Sequence, residues 1–485
     1  MAKIRSVKFN VIMNFILTAS NFIFPLITFP YVSRILLAEG TGRVAFATSI
    51  ANYFIMLASL GIPTYGIRAC AIARDDKDKL SKTAHELLII HSITTEVSLM
   101  MFLISIFLVP QFHQEKELLL LNAFSMLLNV VGVSWLYSAL EQYGYITVRS
   151  LIFKVISVVL MFMFVHNPDD YIIYGGITIV AAMGSNFLNF INLKKFIKFK
   201  KYDNYQFFIH LKPIFVFFAQ AVAITIYTNL DTVMLGFMSG NKEVGYYNAA
   251  VKIKSILVSL ITAIGPVLLP RLSYYIKEKE KDEFLRLVSK TFEFVILMAI
   301  PMTIYFVFHA KEGLIFLSGH DFIGATRAMQ IITPTIFFIG LSNIFGIQIL
   351  TPLGQEKKVL ISVIAGAVVD LILNIIFIPR FGAAGAAFGT LMAEIVVLLV
   401  QIMFIKDIFI TIIKQTDIKK VIFANISSTF LMVYFSRIFI EKVFVTLLFS
   451  ATIFFGSYLL VLLLLKEKIC IDIFKSSIFK RMRKK

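Results

Sequence analysis

The sequence predicts an all-α polytopic membrane protein with about 14 transmembrane helices. Hydrophobic residues make up 58% of its 485 residues, charged residues make up only 16%, and the mean hydropathy is +0.84. Typical soluble domains are about 45–50% apolar and about 25% charged. A soluble fold could not cover this much apolar surface, so composition alone predicts the membrane class. The distribution of positive charge along the chain predicts the number of helices.

Fourteen apolar segments are long enough to cross a bilayer, which requires about 20 residues. Cutting the chain at polar and Gly/Pro breaks gives residues 9–33, 43–64, 85–109, 117–139, 145–166, 171–193, 212–238, 245–269, 289–309, 325–350, 358–378, 383–405, 419–437 and 443–465. The basic start, MAKIRSVKFN, resembles part of a signal peptide, but the apolar run continues past Leu26 without a convincing small-residue cleavage site. We therefore interpret it as an uncleaved first span.

Lysine and arginine indicate the orientation because they accumulate in cytoplasmic loops. With the N-terminus inside, 35 of the 47 lysines and arginines fall in inside segments and 9 fall in outside segments. The other three, Lys154, Lys252 and Lys254, lie within spans. A missed helix would invert every later loop, so the bias supports both the count and two cytoplasmic termini. The net charge of +18 is divided among short loops and forms no single face for nucleic acid.

The loops are short, and none could form a separate soluble domain. Ser273–Phe292 mixes charged and apolar residues at helical spacing, which predicts an amphipathic helix on the inner membrane surface. The basic tail, Ile471–Lys485, has a similar pattern. Cys70 and Cys470 have no CxxC spacing, so they indicate neither a disulfide nor a metal site.

A weak internal repeat predicts two related lobes. Gly240–Lys254 is similar to Phe381–Glu394, and Gly40–Tyr53 is a third copy near the start. Each copy is an outside loop that leads into a helix rich in small residues, where backbones can pack closely. We predict an N-terminal lobe at 1–205 (spans 1–6), a C-terminal lobe at 206–410 (spans 7–12), and spans 13–14 with a basic cytoplasmic tail at 411–485. Repeats of this kind are characteristic of secondary transporters.

Enzymatic motifs are absent from the sequence. It contains no HExxH, no GxxxxGK[ST], no GxSxG and no cysteine and histidine cluster with metal-ligand spacing. It also has no nucleotide-binding domain that could power transport with ATP. We therefore expect a transporter without a cofactor or bound metal, driven by an ion gradient or by the gradient of its own substrate.

Ionisable residues inside the spans are the strongest candidates for function. Each costs about 2.5–3.5 kcal/mol at mid-bilayer on insertion scales. Asp231, Lys254 and Glu394 each lie nine residues from a glycine at the predicted outer end of their helix. At 1.5 Å per residue this places all three roughly 13 Å deep, near the middle of the hydrocarbon core. Asp231 and Lys254 lie on neighbouring spans and could face each other.

Three further charges lie near the midplane when residues are counted from the cytoplasmic ends: Glu96, Lys154 and Asp370. The alternative is that all these charges form structural ion pairs, but their number favours a polar cavity. Lys252 and Lys254 lie about 200° apart around a helix, so both cannot face the same direction. Other polar residues in spans more often bond between helices; they are His91, Asn122, Asn129, Gln220, Asn229, Asn374 and Asn425.

Span 1 contains Pro25 and Pro30, which remove backbone hydrogen bonds and favour bends. Bends of this kind suit a gating helix, although prolines are also ordinary in membrane spans.

The stretch Asn21–Ala71 resembles the opening of Wzx-type polysaccharide flippases. These belong to the multidrug/oligosaccharidyl-lipid/polysaccharide exporter superfamily, with lipid II flippases and multidrug extruders. The matching residues are Tyr31, Arg34, Leu36, Gly40, Gly42, Gly61, Gly66 and Arg68. Asp231, followed by a glycine loop and GYYNAA, is also similar to the family's seventh span.

The resemblance implies two six-helix lobes around a central cavity that opens alternately to each side of a bacterial inner membrane. The cargo would be an undecaprenyl-diphosphate-linked oligosaccharide repeat unit (O-antigen or capsule), moved from the cytoplasmic to the periplasmic leaflet. Membrane lipids and other polysaccharide assembly proteins would be its partners. Family members are described as having a cationic lumen, whereas the midplane charges here are of both signs.

Our hypothesis assigns roles to the midplane charges. Lys154, Lys252 and Lys254 would offset the diphosphate charge, and Arg34 would guard the outer mouth. The cavity carboxylates Asp231, Asp370, Glu394 and Glu96 would include the site of a coupling H⁺ or Na⁺.

Three alternatives to the flippase remain at this point. A cation-coupled multidrug extruder of the same fold would prefer carboxylates in its N-terminal lobe, where this chain has Glu96 but also Lys154. A membrane polymerase or ligase of polysaccharide would need a long outside loop, and the longest here is about fifteen residues. A purely structural membrane protein would not need midplane charges.

Overall fold

The computed structural model describes residues 6–436, 442–467 and 470–471. All regular structure in these ranges is helical, so the predicted all-α class is confirmed. The chain forms two compact units, Met1–Gly245 and Tyr246–Lys485. The lobe boundaries predicted above come from a sequence repeat, whereas these two units are defined by compactness. The predicted lobes therefore stay a prediction.

The first unit contains ten α-helices and the beginning of an eleventh. These are α1 (Val7–Ser59), α2 (Ile62–Ala73), α3 (Lys77–Leu108), α4 (Pro110–Gln114), α5 (Lys116–Gly132), α6 (Ser134–Ala139), α7 (Tyr143–Phe164), α8 (Tyr171–Ile179), α9 (Asn186–Asn192), α10 (Phe207–Met238) and α11 (Asn241–Thr262). Short 3₁₀ turns cover Pro168–Asp170 and Leu193–Lys195, and a π-helical turn covers Val180–Gly184.

In its described part, the second unit contains the rest of α11 and ten further numbered α-helices. These are α12 (Ile264–Lys277), α13 (Lys281–Phe308), α14 (Ala310–Ser318), α15 (Thr326–Ile332), α16 (Thr335–Asn343), α17 (Glu356–Phe381), α18 (Ala383–Phe404), α19 (Lys406–Gln415), α20 (Ile418–Ser436) and α21 (Val443–Leu464). A 3₁₀ segment covers His320–Ala325, and a π-helical segment covers Ile344–Leu350.

The number of membrane crossings agrees with the predicted count. Among the described residues, 11 helical stretches are long and apolar enough to span a bilayer, and two bent pairs raise the number to 13. The first stretch, Phe9–Ala73, has 65 residues and would measure roughly 98 Å, about three times the hydrocarbon core. Predicted spans 1 and 2 both lie inside it. Counted as two crossings, it brings the number to the predicted 14.

The backbone of α1 leaves the helical region at Leu37, where φ is 58° and ψ is −173°. A leucine rarely adopts a positive φ, so this residue marks a strained break between predicted spans 1 and 2. Pro25 and Pro30 both lie within helical parts of α1. Their role as gating bends stays a prediction.

The prediction of one amphipathic helix over Ser273–Phe292 is wrong. The structure ends α12 at Lys277 and starts α13 at Lys281, and Lys279 between them has a φ of 62°. Five consecutive charged residues, Lys277–Lys281, supply no apolar face that would carry one helix through this point. The predicted amphipathic tail lies largely outside the described residues.

Large apolar side chains face outward along the predicted spans, as lipid contact requires. Phe107, Leu108 and Val216, for example, are among the exposed ones. Each unit also has buried apolar clusters. One joins α2, α3 and the beginning of α10 through Ile62, Leu87 and other buried residues in the first unit. Another joins α13, α20 and α21 in the second unit.

Candidate functional site

Lys154 lies in α7 and is partly buried. Its Nζ donates hydrogen bonds to Ser20 Oγ and Asn21 Oδ1 of α1, both at 2.6 Å. The ring of Phe24 lies 5.8 Å from the same nitrogen. The described part of the chain places no carboxylate in ion-pair contact with Lys154, so its predicted mid-membrane charge is solvated by neutral groups. A cation held in this way can attract an anion.

Asp370 and Asn374 occupy consecutive turns of α17 and share one face. They are 4% and 0% exposed. A β-carbon added to Gly389 of α18 would overlap Asn374 Oδ1 and would lie 2.9 Å from Asp370 Oδ1. Both oxygens therefore face the backbone of Gly389, and the missing side chain leaves the space that they occupy.

Two further oxygen-bearing side chains follow on α18. The Thr390 hydroxyl lies 2.9 Å from the Tyr247 hydroxyl of α11. Glu394 lies one turn after Thr390 and is also buried. The second unit thus gathers a carboxylate, a carboxamide and a hydroxyl near Gly389, with a second carboxylate one turn farther on. Oxygen ligands of this kind suit a hard cation, and the carboxylates can also accept a proton.

Asp231 lies in α10 and is buried in the first unit. Two residues before it, the Asn229 Oδ1 accepts a hydrogen bond of 3.1 Å from Asn52 Nδ2 of α1. Polar side chains of α1 and α10 therefore meet within two residues of Asp231. Its predicted pairing with Lys254, which belongs to the second unit, stays a prediction.

The side chains of the other predicted site residues are more exposed than those of Asp231, Asp370 and Glu394. Lys252 and Lys254 are partly buried in α11, whereas Glu96 in α3 and Arg34 in α1 are exposed. The Arg34 guanidinium donates to the backbone carbonyl of Pro30. The cavity and gating roles of these residues stay predictions.

A charged cluster at the end of the first unit that is predicted to face the periplasm, hereafter the outer end, was not predicted. Arg43 Nη1 lies 3.7 Å from Glu115 Oε1 and 3.3 Å from the Tyr171 hydroxyl. Glu115 Oε1 also accepts a hydrogen bond of 2.9 Å from Asn241 Nδ2. Burial raises the pKa of the Glu115 carboxyl, and the charge of Arg43 offsets part of that rise. The cluster thus joins the middle of α1, the residue before α5 and the first residue of α11.

Two glycines allow the backbones to touch beside this cluster. A β-carbon added to Gly42 would overlap the carbonyl oxygen of Asn241, and one added to Gly245 would overlap the carbonyl oxygen of Ala38. The beginning of α11 and the middle of α1, just after its break at Leu37, therefore meet backbone to backbone. Gly42 and Gly245 both belong to the repeated segments seen in the sequence. That repeat was the one feature of the sequence that could have indicated this contact.

Comparison with known proteins identifies the family. The family model described as "Polysaccharide biosynthesis protein" matches residues 7–276, more than half of the chain. This chain belongs to the polysaccharide biosynthesis protein family. A second model, described as MatE, matches residues 217–376. The resemblance to Wzx-type flippases of the exporter superfamily, seen in the sequence, is confirmed.

Relatives and solved structures agree with this family. The chain is 26% identical over 407 residues to a protein of Escherichia coli (strain K12) named "Putative O-antigen transporter", covering 83% of this chain and 97% of the relative. It is 25% identical to a Shigella dysenteriae protein of the same name, covering 82% and 100%. The fold matches the lipid II flippase MurJ with a TM-score of 0.72 at 17% identity, covering 98% of this chain and 100% of MurJ.

A multidrug resistance transporter of the MATE family in an inward-facing conformation has the same fold. Its TM-score is 0.62 at 13% identity, with 81% of this chain and 96% of that one covered. The protein described here is a multi-pass integral membrane protein and a transporter. The prediction of a transporter rather than an enzyme is therefore confirmed.

Proposed function

We propose that this protein is a flippase for undecaprenyl-diphosphate-linked oligosaccharide repeat units. It moves them by alternating access from the cytoplasmic to the periplasmic leaflet of a bacterial inner membrane, with both of its termini in the cytoplasm. The observation that carries the proposal is Lys154, a cation predicted at mid-span, whose contacts among the described residues are Ser20, Asn21 and the Phe24 ring. The names of the relatives and the match to a lipid II flippase support the cargo class.

A diphosphate headgroup fits the chemistry of Lys154. An ammonium group is a compact point charge that binds phosphate oxygens well. Ser20 and Asn21 fix the position of Nζ from the opposite helix, so the charge is held in place before the cargo arrives. The prenyl tail can remain among the lipids while the headgroup crosses the polar cavity. Lys252 and Lys254 would add positive charge from α11.

We further propose that a cation coupled to transport binds beside Gly389. The oxygens of Asp370 and Asn374 converge on this glycine, and Thr390 and Glu394 continue the polar face of α18. Asp231 stays a separate candidate for coupling, in the first unit. The coupling ion would be Na⁺ or H⁺: carboxylate and amide oxygens can both ligate Na⁺, whereas only the carboxylates can accept a proton.

Gly389→Ala tests this ion site. The new methyl group would overlap Asn374 Oδ1 and would lie 2.9 Å from Asp370 Oδ1, so at least one of the two side chains would have to move. We expect the stimulation of flipping by an imposed Na⁺ or H⁺ gradient to fall at least about tenfold, because an ion that cannot bind cannot shift the equilibrium between states. Vesicle assays with each gradient would measure it. Gly313→Ala is the control, since a β-carbon there meets nothing within 4 Å. Equal stimulation in both variants would contradict the ion site.

A multidrug extruder is the second candidate, because the MatE model and the MATE-family fold both match this chain. An extruder would export a free small molecule and would not need a fixed cation for a diphosphate. Drug susceptibility of a deletion strain separates the two, since only loss of an extruder would raise it.

Deletion tests the flippase proposal in the cell. We expect lipid-linked repeat units to accumulate on the inner leaflet while their cytoplasmic synthesis continues, and surface polysaccharide to be lost. Expression of the chain from a plasmid should restore the polysaccharide. Unchanged surface polysaccharide in a strain with no redundant carrier would contradict the proposal.

A further inference from the structure

We infer that residues 193–206, which join α9 to α10 and are hereafter the connector, form a fixed strap on α3. The strap stays docked throughout the transport cycle, so the beginning of α10 moves with α2 and α3. The inference rests on the proposed function in one respect, namely that the protein cycles between two access states. Docking itself can be measured without any transport.

The first part of the connector is held by the polar start of α3. Asp78 accepts hydrogen bonds of 2.8 Å from Lys198 Nζ and 2.8 Å from Lys200 Nζ, and one of 3.0 Å from the Tyr202 hydroxyl. One turn along the same face, Ser81 Oγ accepts a bond of 2.9 Å from the backbone N–H of Lys198. The exposed pairs contribute little individually, but together they fix the register of the connector.

The last part of the connector is held by buried groups. Glu86 of α3 accepts a bond of 2.6 Å from the backbone N–H of Gln206, and its other oxygen lies 2.9 Å from His210 Nε2. The Tyr65 hydroxyl of α2 lies 2.8 Å from His210 Nδ1. Glu86 and His210 are only 2% and 4% exposed. Separating the connector from α3 would leave a buried carboxylate without these partners, which is strongly unfavourable.

Apolar packing continues the same attachment. Leu193, Ile197 and Ile214 are fully buried in one cluster with residues of α2 and α3. His85 of α3 lies between two aromatic rings of the connector, with centroids 5.9 Å from Phe199 and 5.7 Å from Tyr202. The attachment thus combines polar, apolar and aromatic contacts along more than two turns of α3.

The beginning of α10 packs in direct backbone contact with the turn between α1 and α2. Gly61, between α1 and α2, has a φ of +78°, and a β-carbon on it would lie 2.5 Å from the backbone nitrogen of Phe218. Backbone therefore rests on backbone at this point. Any bending of α10 during transport must occur beyond Phe218, toward its outer end.

A disulfide between Ser81→Cys and Lys198→Cys tests the fixed strap. The chain's own Cys70 and Cys470 are replaced by alanine in this variant. Ser81 Oγ accepts a hydrogen bond from the Lys198 backbone nitrogen, so the two positions are in contact. Loss of free thiols on oxidation shows that the bridge has formed. If the strap stays docked, flipping of lipid-linked oligosaccharide by the oxidised protein should remain within about twofold of the reduced protein. Loss of flipping on oxidation, with recovery on reduction, would overturn the inference.

Proteolysis tests the docking independently of flipping. The connector contains Lys198, Lys200 and Lys201, and we expect trypsin to cleave there faster when the segment leaves its docked conformation. In the purified full chain, Glu86→Ala should accelerate cleavage at these lysines at least about tenfold. Glu283→Ala, an exposed glutamate on α13, should not.

The two measurements separate the possible failures. Equal cleavage of Glu86→Ala and Glu283→Ala would overturn the strap, as would wild-type cleavage at the rate of an unfolded segment. If neither the oxidised nor the reduced protein flips lipid, the proposed function fails and proteolysis alone decides on the strap. A Glu86→Ala chain that is cleaved equally fast at all its basic sites is unfolded, and Glu86→Gln then replaces it in the comparison.

Discussion

Lys154→Gln is expected to lower export of lipid-linked oligosaccharide about 100-fold while the protein still inserts in the membrane. Glutamine can still bond to Ser20 and Asn21, so the packing of α7 against α1 is retained. The lost group is the mid-span charge, and loss of a desolvated charge pair with an anion costs about 2–5 kcal/mol. Since about 1.4 kcal/mol corresponds to a factor of ten, even part of this loss produces the expected effect. Complementation of a deletion strain would measure it.

Two further variants control this result. Lys311→Gln removes an exposed lysine from α14 and should leave export unchanged. Lys154→Arg keeps the charge and should retain more export than Lys154→Gln. If Lys154→Gln exports normally, the lysine only ties α7 to α1, and the diphosphate role fails.

Gly245→Ala is expected to lower export about tenfold by separating the beginning of α11 from the middle of α1 at the outer end of the first unit. Its β-carbon would overlap the carbonyl oxygen of Ala38, a backbone atom that cannot turn aside. Overpacking of this kind costs about 1–3 kcal/mol, which shifts a two-state equilibrium by roughly 5- to 150-fold. A carrier that cannot close its outer end would return to the cytoplasmic side more slowly.

Labelling shows directly whether the outer end has opened. Ala38 is fully buried, so a cysteine there should react slowly with a membrane-impermeant maleimide. Adding Gly245→Ala should accelerate that reaction. Gly176→Ala in α8 is the matched control, because its β-carbon would meet nothing within 4 Å. Unchanged labelling and export with Gly245→Ala would show that this contact does not act as a gate.

Hydropathy and charge were sufficient to predict much of the fold. The all-α class and the count of crossings depend on segment length and on the positive charge of loops, which are local properties of the chain. The pairing of Asp370 with Asn374 could also have been predicted, because residues four apart share a helix face. That Gly389 lies against them depends on how closely α17 and α18 pack, which the spacing of residues does not reveal.

Other features depend on tertiary packing and could not be predicted. Nothing in the sequence indicates that Arg43, Glu115 and Asn241, distant along the chain, meet at the outer end. Glu86 and His210 are 124 residues apart and look like ordinary loop-end residues in the sequence. A residue's position along its own span is a local property, whereas its partners come from other helices. Lys154 could therefore be identified from the sequence, whereas Ser20 and Asn21, which hold it, could not.

Reconstitution of the purified protein tests the central claim most directly. Vesicles would carry undecaprenyl-diphosphate-linked oligosaccharide in both leaflets, and an impermeant glycosidase added outside would digest the exposed headgroups. With the wild-type protein we predict that the whole pool becomes digestible, because headgroups from the inner leaflet are brought across; Lys154→Gln vesicles should lag far behind. Digestion that stops at the outer-leaflet share in wild-type vesicles, as in protein-free ones, would contradict the account.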